Sequence, residues 1–488
     1  MSRIGAVERS RDRRQQVTQP LIRYLKQGVT MQRTVVLNVV GLNSQLLKHA
    51  SNLSALARRG AMRPLITVTP ALTCPVQATL LTGRLPQQHG CVANGWYSRE
   101  LAEPLFWKQN NGLVEEDKLW HEAKARNPDF SCAQLFWWFN MYADVDWSVT
   151  PRPIYKADGR KIPDFYTQPA ALHSELLCQL GEFPLFQFWG PAAGLASSRW
   201  ITDCALYLCD TRQPTLTLVY LPHLDYCLQK LGPSHPTIAR EVAAVDALCG
   251  ELIEHADNYG MHIIALSEYG ITPVAGDVPI NRALRQAGWL AVRNEQGEEK
   301  LDCGASAAFA LADHQVAHVY IRHNAIIDEV KALLQSLDGV ETVLDRTGQH
   351  RIGLDHPRSG ELVAISQADR WFSYYYWLDD ARAPDFARTV DIHRKPGYDP
   401  LELFTDPERV FSRLQIGWKL FKRQLGMRSL LDVIPLTPPL VKGSHGRPTD
   451  DIEQGPVIIS SSADKLPLAP VKAESVRDIL LHHIFDNK

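Results

Sequence analysis

The chain has 488 residues, with 52 Lys plus Arg against 54 Asp plus Glu and a formal charge of -2. At roughly 150 residues per domain, that length accommodates one large or two to three ordinary domains. Hydrophobic residues at 45% and charged residues at 22% exclude a fibrous, disordered or disulfide-stapled chain. The near-neutral balance argues against a nucleic-acid polymer as partner.

Residues 1–30 carry seven basic and two acidic side chains and no apolar run of signal-peptide length. They read as a basic, disordered extension. Met31, just ahead of the first strand, is an alternative start. Nine cysteines at irregular spacing, without a CxxC pair, read as free thiols in a reducing compartment. No run of 18 apolar residues exists, so no membrane span is expected. Together these features predict a cytoplasmic location. Oligomeric state is not readable.

In chain order, residues 34–40 form an apolar strand, Gly41 makes a turn, and residues 42–59 follow as an amphipathic helix. The strand–turn–helix grammar recurs at 216–221 with a helix at 237–259, and at 262–266 with a helix near 281–287. This predicts an α/β fold with a largely parallel central sheet and helices on both faces. Such sheets bind ligands beyond the carboxyl ends of their strands. The aromatic run FSCAQLFWWFNMYADVDW is read either as core or, through Trp138, Tyr142 or Trp147, as a pocket wall. Residues 31–274 and 386–450 form the expected catalytic core, and residues 275–385 an inserted cap. That cap contains strands at 318–321 and 361–365 and a helix at 326–337. Residues 451–488 form a tail returning to the core.

The segment TVTPALTCPVQATLLTGRLPQQHGCVANG carries the most chemistry. Pro75 suits a first helical position, so a helix over 76–81 would begin just under Thr73. There the hydroxyl could attack a phosphoryl group held by helix amides, with the Asn94 amide on a phosphoryl oxygen. The alternative is a plain Thr cap. A threonine hydroxyl needs activation, and metal coordination is one route. Candidate ligands lie at other strand ends: His223 and Asp225, Glu268, Asp391 and His393, and His445. Asp391 and His393 share a face if extended, as do His223 and Asp225. Carboxylate–imidazole mixtures suit zinc, manganese or iron. Arg394 and Lys395 either grip an acidic substrate or make salt bridges. In DHQVAH, His314 and His318 lead into a strand, where i and i+4 lie about 13 Å apart. Walker A, dinucleotide and GxSxG serine motifs are absent.

From about Val35 to Gly446 the chain resembles the alkaline phosphatase superfamily, in its nucleotide pyrophosphatase/phosphodiesterase branch, through TCPVQATLLTGRLPQQHGCVANG. The resemblance implies a metal-dependent hydrolase of a phosphate ester, phosphodiester or pyrophosphate bond in a small phosphorylated substrate. It further implies two zinc ions, a covalent phosphoryl-enzyme on Thr73, a phosphoryl contact from Asn94, and Asp225 and His445 as zinc ligands. The sequence departs from that pattern. Val40 stands where the family has an aspartate, with Asn38 the nearest polar side chain. Gln229 replaces a histidine, and Ser267-Glu268-Tyr269-Gly270 replaces Ser-Asp-His-Gly. Two readings follow: a hydrolase with a rebuilt or single-metal site, or a catalytically inactive phosphatase-fold protein binding a phosphorylated ligand or partner protein.

Overall fold

The computed structural model describes residues 30–157, 160–407 and 432–485. Apart from Thr30, the predicted basic extension lies outside them.

Among the described residues, one nine-stranded sheet organises the chain. Its order is Val471–Lys472, Ala61–Ile66, Val457–Ser460, His262–Leu266, Thr34–Val39, Leu216–Leu221, Cys132–Leu135, Trp147–Pro151, Phe165–Gln168. The five consecutive strands from His262–Leu266 to Trp147–Pro151 run parallel, and Val457–Ser460 and Phe165–Gln168 pair antiparallel. Every residue of Thr34–Val39 and Leu216–Leu221 is buried. That is why these segments read as continuous apolar runs rather than alternating ones: helices cover both faces of a parallel sheet. Helices Ser51–Arg59, Leu195–Thr211 and His223–Leu231 pack around the long helix Ile238–Asn258, and Thr73–Thr82 packs with Val476–Ile484.

The predicted helix over 42–59 is two helices, Ser44–Leu47 and Ser51–Arg59. Ala50 sits at φ -114° and ψ 87°, outside helical space, so the periodicity runs across a break. Gly41, at φ +82°, turns the chain out of the first strand, and a Cβ there would stand 2.9 Å from Leu228 Cδ1.

A second sheet is antiparallel, in the order Ala308–Asp313, Val316–Ile321, Leu362–Ser366, Val340–Leu344. It has its own apolar core, in which Val330, Leu334, Leu362 and Trp371 are buried. The tight hairpin between its first two strands places His314 at φ +56°. It also carries Asp313 and His314 to the main sheet's carboxyl edge. All nine cysteines are free, seven of them buried, with Cys227 half-buried and Cys178 exposed.

Candidate active site

Three strand ends converge with one helix start. Asn38 lies near the end of Thr34–Val39, Asp225 follows Leu216–Leu221, and Glu268 and Tyr269 follow His262–Leu266. Ser267 fixes the last turn: its hydroxyl donates to the Leu42 carbonyl and accepts from Val457 N–H. Thr73 opens the helix Thr73–Thr82, with Leu72 extended before it. The helix therefore begins three residues earlier than the sequence suggested. Pro75 sits in the first turn but not first in it, a position equally free of cost because amides there lack intrahelical acceptors.

Thr73 is 4% exposed. Its Oγ1 lies 3.0 Å from the Tyr269 hydroxyl, and that hydroxyl donates onward to Asp225 Oδ1 at 3.4 Å. Gln229 Nε2 donates to Asp225 Oδ2 at 2.9 Å, and Tyr398 donates to Gln229 Oε1 at 2.8 Å. Glu268 Oε1 accepts from both Asn38 Nδ2 and Gln77 Nε2. The Thr73 hydroxyl is close enough to favour the ionised form of Glu268, although Oε2 lacks a partner of hydrogen-bond geometry. Asn94 is held at both ends of its amide. Oδ1 accepts from Cys74 N–H at 3.0 Å, and Nδ2 donates to Asp313 Oδ1 at 3.1 Å. His445 Nδ1 contacts the Ala71 carbonyl at 2.8 Å, leaving Nε2 3.6 Å from Asp225 Oδ1.

Burial dominates the electrostatics. It raises Asp225 to about 7, against the pull of its Gln229 and Tyr269 hydrogen bonds. It raises Glu268 to about 8, with the Asp225 charge adding to the shift and the Gln77 and Asn38 hydrogen bonds opposing it. Asp313 rises to about 7 through burial, opposed by its bonds to Asn94. Burial lowers His445 to about 3, which keeps the imidazole neutral.

Thr73, Asn94, Asp225, Glu268, Asn38 and His445 thus fall into one contiguous network. The other sequence candidates find partners elsewhere. His223 bonds Glu241. His223 and Asp225 do not share a face, because the segment is the helix His223–Leu231 rather than a strand, and residues two apart on a helix diverge. Asp391 pairs with Arg394, and His393 Nδ1 meets the Phe106 carbonyl. Lys395 is closed in a triad with Asp399 and Glu402 at 2.7 and 2.8 Å, its side chain 1% exposed. Trp138 packs against Trp107 with the rings tilted by 45° and gives its backbone N–H to Gln77 Oε1. Tyr142 is exposed and edge-on to Tyr166, and Trp147 is half-buried.

Sequence reasoning passed over Gln77 and Tyr398, and gave Asp313 and His314 no place at this site. Gln77 was within reach, since it lies four residues after Thr73 on one helix face. Tyr398 and His314, stacked with centroids 3.7 Å apart, carry no local signal of meeting.

The two-zinc centre implied by the resemblance is a specific demand on donors, and the residues do not meet it. Val40 has no donor atom. Tyr269 and Gln229 are hydrogen-bonded within the network, and Glu268 is engaged by two amides. Asp225 and His445 keep a spacing suited to one ion, but two ligands fall short of a tetrahedral set. Among the described residues, no trio of His, Cys, Asp or Glu ligand atoms gathers at Thr73 within 4.8 Å of one another.

Comparison with known proteins agrees on the fold. The chain superposes on murine ectonucleotide pyrophosphatase/phosphodiesterase 5 with a TM-score of 0.56 at 14% identity, covering 92% of this chain and 94% of that one. An inactive form of the murine protein is known in complex with AMP. Phosphonoacetate hydrolase from Sinorhizobium meliloti 1021, in complex with phosphonoformate, superposes with a TM-score of 0.60 at 14% identity, covering 93% and 96%. An uncharacterized pyrophosphatase/phosphodiesterase of Schizosaccharomyces pombe is 26% identical over 265 residues, 51% of this chain. The match spans about half of that relative, 46% of its length. Such names support a hydrolase of phosphodiester or phosphate bonds, in a family that is generally dependent on divalent metal. Residues 34–399 match the family described as type I phosphodiesterase / nucleotide pyrophosphatase, and the chain belongs to it.

Proposed function

We propose that this chain hydrolyses a phosphorus–oxygen ester, diester or pyrophosphate bond of a small phosphorylated substrate, with Thr73 as nucleophile. The observation that carries the reading is the hydroxyl chain from Thr73 through Tyr269 to Asp225. In it, the Thr73 proton passes to the Tyr269 oxygen, and the tyrosine proton passes to Asp225. Thr73 Oγ1 then forms the new bond to phosphorus as the leaving oxygen departs as its anion. Water attacks the phosphothreonine, the Oγ1–P bond breaks, and Oγ1 regains its proton from Asp225 through Tyr269. The water's protons go to the phosphate and the departed oxygen.

Two carboxyls with raised pKa values divide the work. Asp225, at about 7, is ionised often enough to accept a proton. Glu268, at about 8, stays largely neutral at pH 7 and so does not repel an incoming phosphoryl group. The divalent ion of the resemblance (zinc, manganese or iron) takes no part in this scheme, because Val40 offers no donor and Tyr269, Gln229 and Glu268 are engaged in hydrogen bonds. Neighbours of this fold are known with AMP or a phosphonate bound, which supports a small phosphorylated ligand.

The test is a panel of phosphodiester, monoester, pyrophosphate and phosphonate substrates, run with and without chelator. Turnover that survives chelation and disappears in Thr73→Ala supports the proposal. Full turnover by Thr73→Ala would sink the nucleophile, and turnover abolished by chelator would sink the metal-free route. A panel with phosphorylated ligand bound but no turnover would leave a binding protein.

A further inference from the structure

The helix that directs Asp225 toward Thr73 carries a second constellation on another face. His223 and Cys227 are four residues apart on His223–Leu231, which places them one above the other. Glu241, in the first turn of Ile238–Asn258, faces them from the adjoining helix. His223 Nε2 lies 3.0 Å from Glu241 Oε2 and 3.7 Å from Cys227 Sγ. One ligand atom from each of the three falls within 4.8 Å of the others.

We propose that His223, Cys227 and Glu241 form a zinc site separate from the Thr73 network. With Zn–N and Zn–O near 2.0–2.2 Å and Zn–S near 2.3 Å, tetrahedral ligands stand roughly 3.3–3.6 Å apart. The two separations from His223, 3.0 and 3.7 Å, bracket that range, and the Cys227–Glu241 pair lies within 4.8 Å, so an ion fits with side-chain adjustments. An imidazole, a thiolate and a carboxylate make a soft-to-borderline set that suits zinc rather than magnesium or calcium.

The surroundings are organised for it. Arg240 holds Glu241 Oε1 at 3.0 Å, turning Oε2 toward the histidine. His223 is 2% exposed, and its Nδ1 is buried without a hydrogen-bond partner. Coordination through Nε2 puts the ring proton on Nδ1, and the Gly194 backbone is close enough to favour a protonated ring, so a small shift would supply the outer support usual for a ligating histidine. Cys227 and Glu241 are only half-buried, which leaves a way in and room for water as fourth ligand. On binding, Cys227 loses its thiol proton to solvent and bonds the ion as thiolate. An ion here would join the first two turns of His223–Leu231 to the first turn of Ile238–Asn258. It would also account for His223 without assigning it to the catalytic network.

The test uses the full chain, stripped by chelator and titrated with zinc against a chromophoric chelator. Cobalt serves as a spectroscopic probe in parallel. One tightly held ion per chain is expected, with a thiolate-to-cobalt charge-transfer band in the unsubstituted protein. Cys227→Ser should abolish the band, and both it and Glu241→Gln should weaken zinc binding by roughly 10–100-fold or more. His445→Ala should leave band and affinity in place. Absence of the band in the unsubstituted protein overturns the proposal, a result that depends on no variant folding. So does an ion lost in His445→Ala but kept in Cys227→Ser.

Discussion

The ring of Tyr269 lies flat on the imidazole of His445, with centroids 3.6 Å apart and planes within 7°, while its hydroxyl reaches Thr73. One side chain therefore braces the last histidine of the resemblance and connects the nucleophile to Asp225. The histidine of the family pattern could not span both places, because the phenol extends beyond an imidazole.

That division of labour makes Tyr269→Phe informative. The stack survives, and losing one hydrogen bond costs about 1 kcal/mol of stability. Turnover should fall by roughly 10²-fold or more, the usual weight of a positioned proton acceptor. Steady-state kinetics beside thermal unfolding checks this, and unchanged kcat would remove the relay.

The pH dependence follows from Asp225 and Glu268. Activity should rise as pH passes about 7, where Asp225 ionises, and decline above about 8, where Glu268 does. Stability runs the other way. The ordinary Glu value is 4.5 and the folded value is raised to about 8. The stabilising contribution of neutral Glu268 is therefore full below about 4.5 and drains away as pH climbs to 8. Glu268→Gln cannot ionise, so its melting temperature should gain on the unsubstituted protein as pH rises through that window. Its alkaline activity limb should flatten. Parallel melting curves with no divergence would show that Glu268 is already charged.

Lys395 invites a different experiment. Burial alone would lower its pKa, but Asp399 and Glu402 outweigh burial and hold it raised. Lys395→Met leaves two buried carboxylates facing each other and should destabilise the fold by about 3–5 kcal/mol. A raised KM with an unchanged melting temperature would instead place Lys395 on the substrate.

Gln229→His asks whether the zinc position can be restored. Asp225 and His445 stand at ligand spacing, 3.6 Å, and a histidine four residues after Asp225 would supply a third donor. Elemental analysis should show one more zinc per chain in the variant than in the unsubstituted protein, and that added ion should be lost when Asp225→Asn is introduced as well. No gain in bound zinc would mean that the Tyr269–His445 stack blocks the ion.

The centre of the main sheet was legible because its strands are covered on both faces, so VVLNVV and LTLVYL read as short apolar runs, whereas flanking strands such as Ala61–Ile66 and Val457–Ser460 were not read. Strands 216–221 and 262–266 were readable to the residue. The network around Thr73 was legible only as far as strand ends go. Asp225 and Glu268 lie where parallel strands deliver side chains, so topology placed them, whereas Asn38 entered through the resemblance, as the polar side chain nearest Val40. His445, Asp391 and His393 were read alike as candidates at strand ends, the resemblance adding a zinc-ligand role for His445, and Lys395 was placed by its charge; none of these readings says which partners the side chain meets. Lys395 meets Glu402 seven residues on, through a turn that no periodicity encodes. Tyr398 and His314 join the site through a hairpin and a loop, whose contacts are set by tertiary packing.

The clasp of Asn94 between the Cys74 amide and Asp313 has a bearing on heredity and engineering. Asp313 ends a strand of the second sheet, yet it steadies the turn that aims Thr73. Residues 275–385 are therefore no exchangeable attachment. A chimera receiving that stretch from a cousin would need a carboxylate at the same hairpin, or the nucleophile's helix would lose its anchor.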